Sequence, residues 1–259
     1  ALERATYRRS GAVTVLSDDL RDNVRAKLPP SQRAKVTVIP NFVDVDAIRP
    51  LGRLTAYRAE LGIGDELVVM YAGNVGMSQS LGLMLDAARA LPDVVFVING
   101  DGSVRPRLER EAAGLANVRF GAFQPAERLA EVLATGDLHV VALRSGLGRV
   151  SVPSKTYSIL ASGRPIVAAV DPGTEVPRIL ALSAAGWAVP PDEPVAFVDA
   201  VAALVADPVA LARMGENGRE WVETHVTAGN VAAAYEGLVT ELRSVSNRRG
   251  RSLDRIDGR

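Results

Sequence analysis

The chain has no cysteine, only two histidines and no excess charge of either sign, with 30 basic and 30 acidic side chains in 259 residues. Without cysteine there are no disulfides, no thiolate metal sites and no cysteine nucleophile. With His139 and His225 alone, a histidine-rich metal site is excluded as well. A formal net charge of zero offers no global positive field, so no nucleic-acid partner is expected. No apolar run approaches the roughly 18 residues needed to span a bilayer. The opening ALERATYRRSG is charged and lacks the apolar stretch of a secretory leader. The expectation is a soluble, cytoplasmic protein.

From residue 67 onward, short β-rich runs alternate with stretches of helical spacing. The runs are LVVMYA (67–72), VVFVIN (94–99), NVRF (117–120), LHVVAL (138–143), PIVAAV (165–170) and WAV (187–189). Most are continuously apolar, as parallel strands buried on both faces require. Helices are predicted near 80–91, 104–115, 126–135, 154–162 and 174–185, then near 193–206, 208–223 and 228–245. Strict alternation predicts βαβ units and an α/β, doubly wound parallel sheet. The first fifty residues read as a separate piece. It comprises strands in GAVTVLS (11–17) and KVTVIPN (35–41), a helix DDLRDNVRAKL capped by Ser17, and a connecting segment. The last residues, 247–259, lack apolar periodicity and read as a disordered tail.

Ligands of an open α/β sheet bind where strands lead into helices, so those loops are the candidate sites. Gly73, Asn74 and Gly76 follow the first sheet strand, and Gly100, Asp101 and Gly102 follow the second. Glycines there allow close backbone approach to a ligand, or simply a tight turn. Neither loop completes the dinucleotide or P-loop fingerprint. A third segment, Val152-Pro153-Ser154-Lys155-Thr156-Tyr157-Ser158, starts a helix with proline at its first turn. Amides of residues 154–156, hydroxyls and an ammonium would together suit a diphosphate; an ordinary helix start with an exposed lysine is the plain alternative.

VPSKTYSILASGRPIV resembles the donor-binding segment of family-4 glycosyltransferases. VTVIPNFVD, MYAGNVGMSQSL, FVINGDGSVRPRLE, NVRFGAFQP and ATGDLHVVAL agree in order. The likeness runs from about residue 11 to 240 and is greatest to transferases of bacterial exopolysaccharide and O-antigen assembly. It implies a GT-B fold, with residues 51–226 as the Rossmann-like nucleotide-sugar domain. Residues 1–50 would then be a remnant of a partial N-terminal domain, and 227–246 a C-terminal helix packing back on that domain. It also implies transfer from a nucleotide-diphosphate sugar to a glycan or lipid-linked acceptor, with retention and without a metal or other cofactor. The missing N-terminal domain would be a partner, and a lipid-linked acceptor would bring the full-length protein to the inner face of the membrane.

By position, the resemblance gives Lys155 the catalytic role, stabilising the departing diphosphate. Gly73, Asn74, Gly76, Gly100, Asp101, Gly102, Pro153, Ser154 and Thr156 would surround the donor, and the backbone at Ala122 and Phe123 would meet the base. Relatives often carry a basic pair where Asn74 and Gln79 stand, and two glutamates where Val150 and Ser158 stand; the second glutamate usually holds ribose. Glu175 is a candidate replacement, or an ordinary helix-start charge. A sugar-nucleotide epimerase and a non-catalytic nucleotide-sugar-binding module are the alternatives on the same scaffold.

Other features have plain readings. Asp44 and Asp46 form a D-x-D, but in a connecting segment, where capping is favoured over metal binding. His139 reads as a core histidine, His225 as a helix end and Asp137 as a turn contact; Glu3, Asp18 and Asp19 read as ordinary charges. No G-x-S-x-G elbow supports serine hydrolysis.

Overall fold

The structure, a computed structural model, describes residues 2–254, with side chains through residue 244. Two compact units make up these residues. Val43–His225 form one; the described residues up to Phe42, with those from Val226 onward, form the other.

The smaller unit opens with helix α1 (Leu2–Arg9), which the periodicity did not single out. Strands β1 (Val13–Val15) and β2 (Val36–Val38) pair in parallel around helix α2 (Asp18–Ala26). The Ser17 side chain accepts the Leu20 amide, the capping its sequence position predicts. Val24, Leu28 and Val36 form this unit's small core. Glu3 pairs with Lys27 at 2.7 Å and Asp18 with Arg21 at 2.5 Å. Helix α11 (Ala228–Asp254) extends through the first part of the stretch expected to lack structure. Propagating an existing helix adds one hydrogen bond per residue with no new nucleation, so weak periodicity does not end it. Residues 255–259 of that expected tail lie outside the described residues.

The larger unit is a six-stranded, wholly parallel sheet. Its strands are β3 (Val68–Ala72), β4 (Val95–Asn99), β5 (Val118–Gly121), β6 (Leu138–Ala142), β7 (Ile166–Ala169) and β8 (Gly186–Val189), in the order β5-β4-β3-β6-β7-β8. The helices between them are α4 (Gly82–Ala90), α5 (Arg105–Glu111), α6 (Leu129–Thr135), α7 (Lys155–Ala161) and α8 (Glu175–Ser183). A five-residue helix α3 (Ala56–Glu60) precedes the sheet, and α9 (Pro194–Val205) and α10 (Pro208–His225) follow it. Each expected strand and helix of this region is present. α3 is too short to show a helical period.

Side-chain alternation sorts the strands onto two cores. Val69, Tyr71, Phe96 and Ile98 face α4 and α9, whereas Val68, Met70, Val95 and Val97 face Tyr57 and Val132. His139 is fully buried in β6; its Nε2 meets the Leu133 carbonyl at 2.8 Å, and burial lowers its pKa to about 4. It is a neutral core histidine. His225 ends α10, stacked on Trp221.

Of two aspartates singled out from sequence, Asp44 caps a turn as expected, whereas Asp137 does more than make a local turn contact. Asp44 Oδ1 accepts the amides of Asp46 and Ala47, at 3.0 and 2.9 Å, so the first acid of the D-x-D caps a turn. Asp137 accepts from Arg53 Nε at 2.7 Å, Arg58 Nη1 at 3.4 Å and the Val68 amide at 2.9 Å, joining segments some seventy to eighty residues apart instead of a local turn. The larger unit also starts earlier than the boundary expected at residue 51. Arg219 on α10 donates to the carbonyls of Ile48 at 2.7 Å and Val45 at 2.9 Å, which binds the connecting segment to it.

Candidate active site

The strand order reverses between β3 and β6, and the loops that leave these two strands diverge over their carboxyl ends. That is where an open parallel sheet receives ligands. A cavity of about 560 Å³ occupies the position, lined from the first loop by Gly73, Asn74 and Gln79, from the segment leading into α7 by Pro153 and Ser154, and from α7 by Lys155 and Ser158. Tyr71 and Asn99 at strand ends form its floor; Phe123, Gln124, Pro125, Leu129 and Val132 form a largely apolar flank. This volume is within the usual range for small-molecule sites.

Among the described residues, Lys155 is the sole charged one in that lining. Its Nζ lies 3.7 Å from the centroid of the Tyr71 ring, a cation–π contact. Among the described residues it forms no ion pair with a carboxylate, and desolvation lowers its pKa to about 7. Gly73 makes room for it: at φ +138° a Cβ there would stand 2.7 Å from Nζ. The Tyr71 hydroxyl, its pKa raised by burial, donates to the Asn74 carbonyl at 2.5 Å. One strand residue therefore fixes both the lysine and the first loop.

The glycines of the second loop have a different role from the one sequence suggests. Gly100, Asp101 and Gly102 do not line the cavity. At Gly100 (φ +132°) a Cβ would stand 1.9 Å from the Gly73 carbonyl, and at Gly102 (φ +154°) one would stand 2.4 Å from the Val75 carbonyl. The Gly73 amide donates to Asn99 O at 2.9 Å and the Val75 amide to Asp101 O at 2.8 Å. The second loop thus supports the first, and the backbone that these glycines approach is protein. The Asp101 carboxylate is taken up by the Gly102 amide at 2.7 Å. Gly76 is buried, and its amide donates to Gln79 Oε1 at 3.1 Å.

Three further residues expected at the site stand apart from the cavity lining. Thr156 is fully buried outside the cavity lining, and its amide donates to Pro153 O at 3.1 Å, so it offers neither hydroxyl nor free amide to a ligand. One residue past the helix start, the side chain has turned into the core. Glu175 is 4% exposed and paired with Arg178 at 2.6 Å, away from the cavity lining. The Ala122 carbonyl already accepts Tyr57 Oη and Gln124 Nε2, at 3.4 and 3.3 Å, whereas Phe123 does line the cavity. Val150 is exposed and lies outside that lining. Tyr71, Asn99 and the 124–132 flank were not singled out from sequence, because an aromatic inside an apolar strand reads as core.

The glycosyl transferases group 1 family matches residues 66–207, which include the whole sheet. The alpha-D-kanosaminyltransferase of Streptomyces kanamyceticus is 31% identical over 227 residues, covering 83% of this chain and 56% of that protein. The putative colanic acid biosynthesis glycosyl transferase WcaI of Escherichia coli (strain K12) is 28% identical over 208 residues, covering 77% of this chain and 50% of that protein. The chain thus spans about half the length of these relatives. Among solved structures, sucrose-phosphate synthase from Thermosynechococcus elongatus has a TM-score of 0.79 at 20% identity, covering 94% of this chain and 61% of that one. Anabaena HepE in complex with UDP and glucose has a TM-score of 0.77 at 16% identity, covering 91% and 64%. The parallel sheet with its helices has the fold seen in GT-B glycosyltransferases. The chain belongs to the glycosyl transferases of group 1.

Proposed function

We propose that the larger unit is the donor site of a glycosyltransferase, which moves a sugar from a nucleoside-diphosphate carrier to a glycan or lipid-linked acceptor in bacterial polysaccharide assembly. The observation that supports this reading most directly is the cavity at the sheet's crossover, in which the sole charged lining residue is Lys155. The anomeric carbon–oxygen bond to the diphosphate breaks, the acceptor hydroxyl oxygen bonds to the same carbon with retained configuration, and the hydroxyl proton passes to the departing diphosphate. Negative charge grows on the departing diphosphate. Lys155 Nζ, held against Tyr71, is the cation that meets it, in the role a divalent metal has in metal-dependent transferases. Ser154 and Asn74 stand beside it on the cavity wall. The apolar flank at Phe123, Leu129 and Val132 suits a nucleobase. HepE, a structural neighbour, was solved with UDP and glucose, and that ligand chemistry is what this reading assigns here.

An acceptor, and the part of the protein that would bind it, are outside what this cavity provides. Full-length relatives are about twice as long, and we assign acceptor recognition to such an additional segment. The test is calorimetry with UDP, GDP and ADP, followed by sugar-transfer assays on the wild type and on Lys155→Met. Binding of one diphosphate with a Kd in the micromolar range, and a Lys155→Met loss of about 10²-fold or more in donor turnover, is expected. A lysine variant that leaves both affinity and turnover unchanged would falsify the assignment. Binding without turnover, even with the additional segment supplied, would identify a binding module instead.

A further inference from the structure

The cavity lining contains no carboxylate among the described residues. Three acids of the larger unit that the site's loops and helices bring to mind are engaged elsewhere. Asp101 holds the Gly102 amide, Glu131 accepts from Arg128 and the Tyr57 amide, each at 2.7 Å, and Glu175 holds Arg178. The Asn99 side-chain carbonyl, at the floor, is taken by the Tyr57 hydroxyl. A ligand in this cavity therefore finds one cation and several neutral groups.

Helix α7 sets a scale along it. Ser154, Lys155 and Ser158 all line the cavity, and residues three and four apart share a helix face. At about 1.5 Å of rise per residue, Ser158 stands about 6 Å beyond Ser154 along the helix, roughly the breadth of one sugar ring. With a diphosphate at Lys155 and a base on the apolar flank, the sugar between them lies beside Ser158. A ribose diol is gripped firmly where a carboxylate accepts both hydroxyls in charge-assisted bonds. A single serine hydroxyl offers one neutral bond, and its loss leaves no buried charge unpaired. Strong rejection of an analogue lacking a hydroxyl comes from buried polar groups that are then stranded, and here none is positioned to be stranded.

We propose that this site accepts 2′-deoxyribonucleoside diphosphate sugars nearly as readily as their ribonucleoside counterparts, with Ser158 as the side chain that meets the nucleoside sugar. The inference rests on the donor reading above, and its test separates the two. Titration calorimetry of the full chain would compare UDP with 2′-deoxy-UDP and GDP with 2′-deoxy-GDP, the base being constant within each pair. For the pair that binds, the two Kd values are expected to differ by no more than about tenfold, as one neutral hydrogen bond allows. Ser158→Ala is expected to bring that ratio to about one while retaining the wild-type far-ultraviolet circular dichroism. A ratio above about tenfold overturns the tolerance and leaves the donor reading standing. A small ratio that Ser158→Ala does not change overturns the role of Ser158. Failure of all four nucleotides to bind overturns the donor reading, and this inference falls with it.

Discussion

Lys155 brings together a positive charge, a half-buried, desolvating setting and, among the described residues, no carboxylate partner. Its pKa, lowered to about 7, reflects the desolvation cost of the ammonium. A bound diphosphate favours the charged form, so the pKa in the complex lies higher and binding takes up a proton. Affinity for a nucleoside diphosphate should then fall as pH rises above 7, by up to about tenfold per pH unit until the pKa of the complex is reached. Fluorescence or calorimetric titration between pH 7 and 9 measures this, and Lys155→Met should flatten the profile. A wild-type profile as flat as that of the variant would show that the lysine is not the titrating group. This residue was legible from sequence because proline, serine and lysine at a helix start make one recognisable pattern. Its partner Tyr71 was not, since strand periodicity reports burial and is silent on which ring edge or face meets a neighbour. Thr156 shows the same limit in reverse: adjacency in sequence to Lys155 placed it in the site, and helix geometry turned it into the core.

At the scale of elements, the strands were readable because continuous apolar runs have few alternatives in an alternating chain. How the elements touch was less visible, and glycine is where the difference is greatest. On α10, a Cβ at Gly215 would stand 2.1 Å from the Gly163 carbonyl, and one at Gly218 would stand 2.7 Å from Leu160 Cδ2. These contacts bring α10 close against the end of α7 and the turn after it. Gly215→Ala, meeting rigid backbone at 2.1 Å, should destabilise the fold by about 1–3 kcal/mol, whereas Gly218→Ala, meeting the flexible end of Leu160 and, at 3.0 Å, the Ala185 Cβ, should cost less. Urea midpoints at unchanged slope would measure both, and equal costs would show that α10 shifts as a rigid body. Gly100→Ala combines a positive φ with the approach to the Gly73 carbonyl. It should lower stability by at least about 1 kcal/mol and weaken nucleotide binding, because the displaced Gly73 lies over Lys155. The sequence identifies Gly100 as special; only the fold shows that it serves the cavity through a neighbouring loop.

For the whole molecule, the question is where the larger compact unit begins. The family resemblance implies a start at residue 51, while packing places it at Val43. The difference depends on Arg219, a helix-surface residue by sequence, whose guanidinium reaches the carbonyls of Val45, Ile48 and Ala161. Val43 and Ile48 are also buried, at 5% and 8% exposure. Removing residues 43–50 would strand part of that guanidinium and expose the apolar surface that Val43 and Ile48 cover. A hydrogen bond to a charged group contributes about 1.5–3 kcal/mol, so the loss should exceed about 2 kcal/mol. For a domain of this size that corresponds to a fall in Tm of about 4–8 °C. Two excised pieces, 43–225 and 51–225, therefore make a direct comparison. The first should unfold in one cooperative transition and bind nucleoside diphosphate within about threefold of the full chain, because every residue lining the cavity belongs to it. The second should melt several degrees lower. Arg219→Ala introduced into 43–225 should recover most of that fall without shortening the chain. If 51–225 melts with 43–225, the connecting segment is dispensable and the boundary belongs at residue 51. If neither piece binds while the full chain does, the smaller unit contributes to donor recognition.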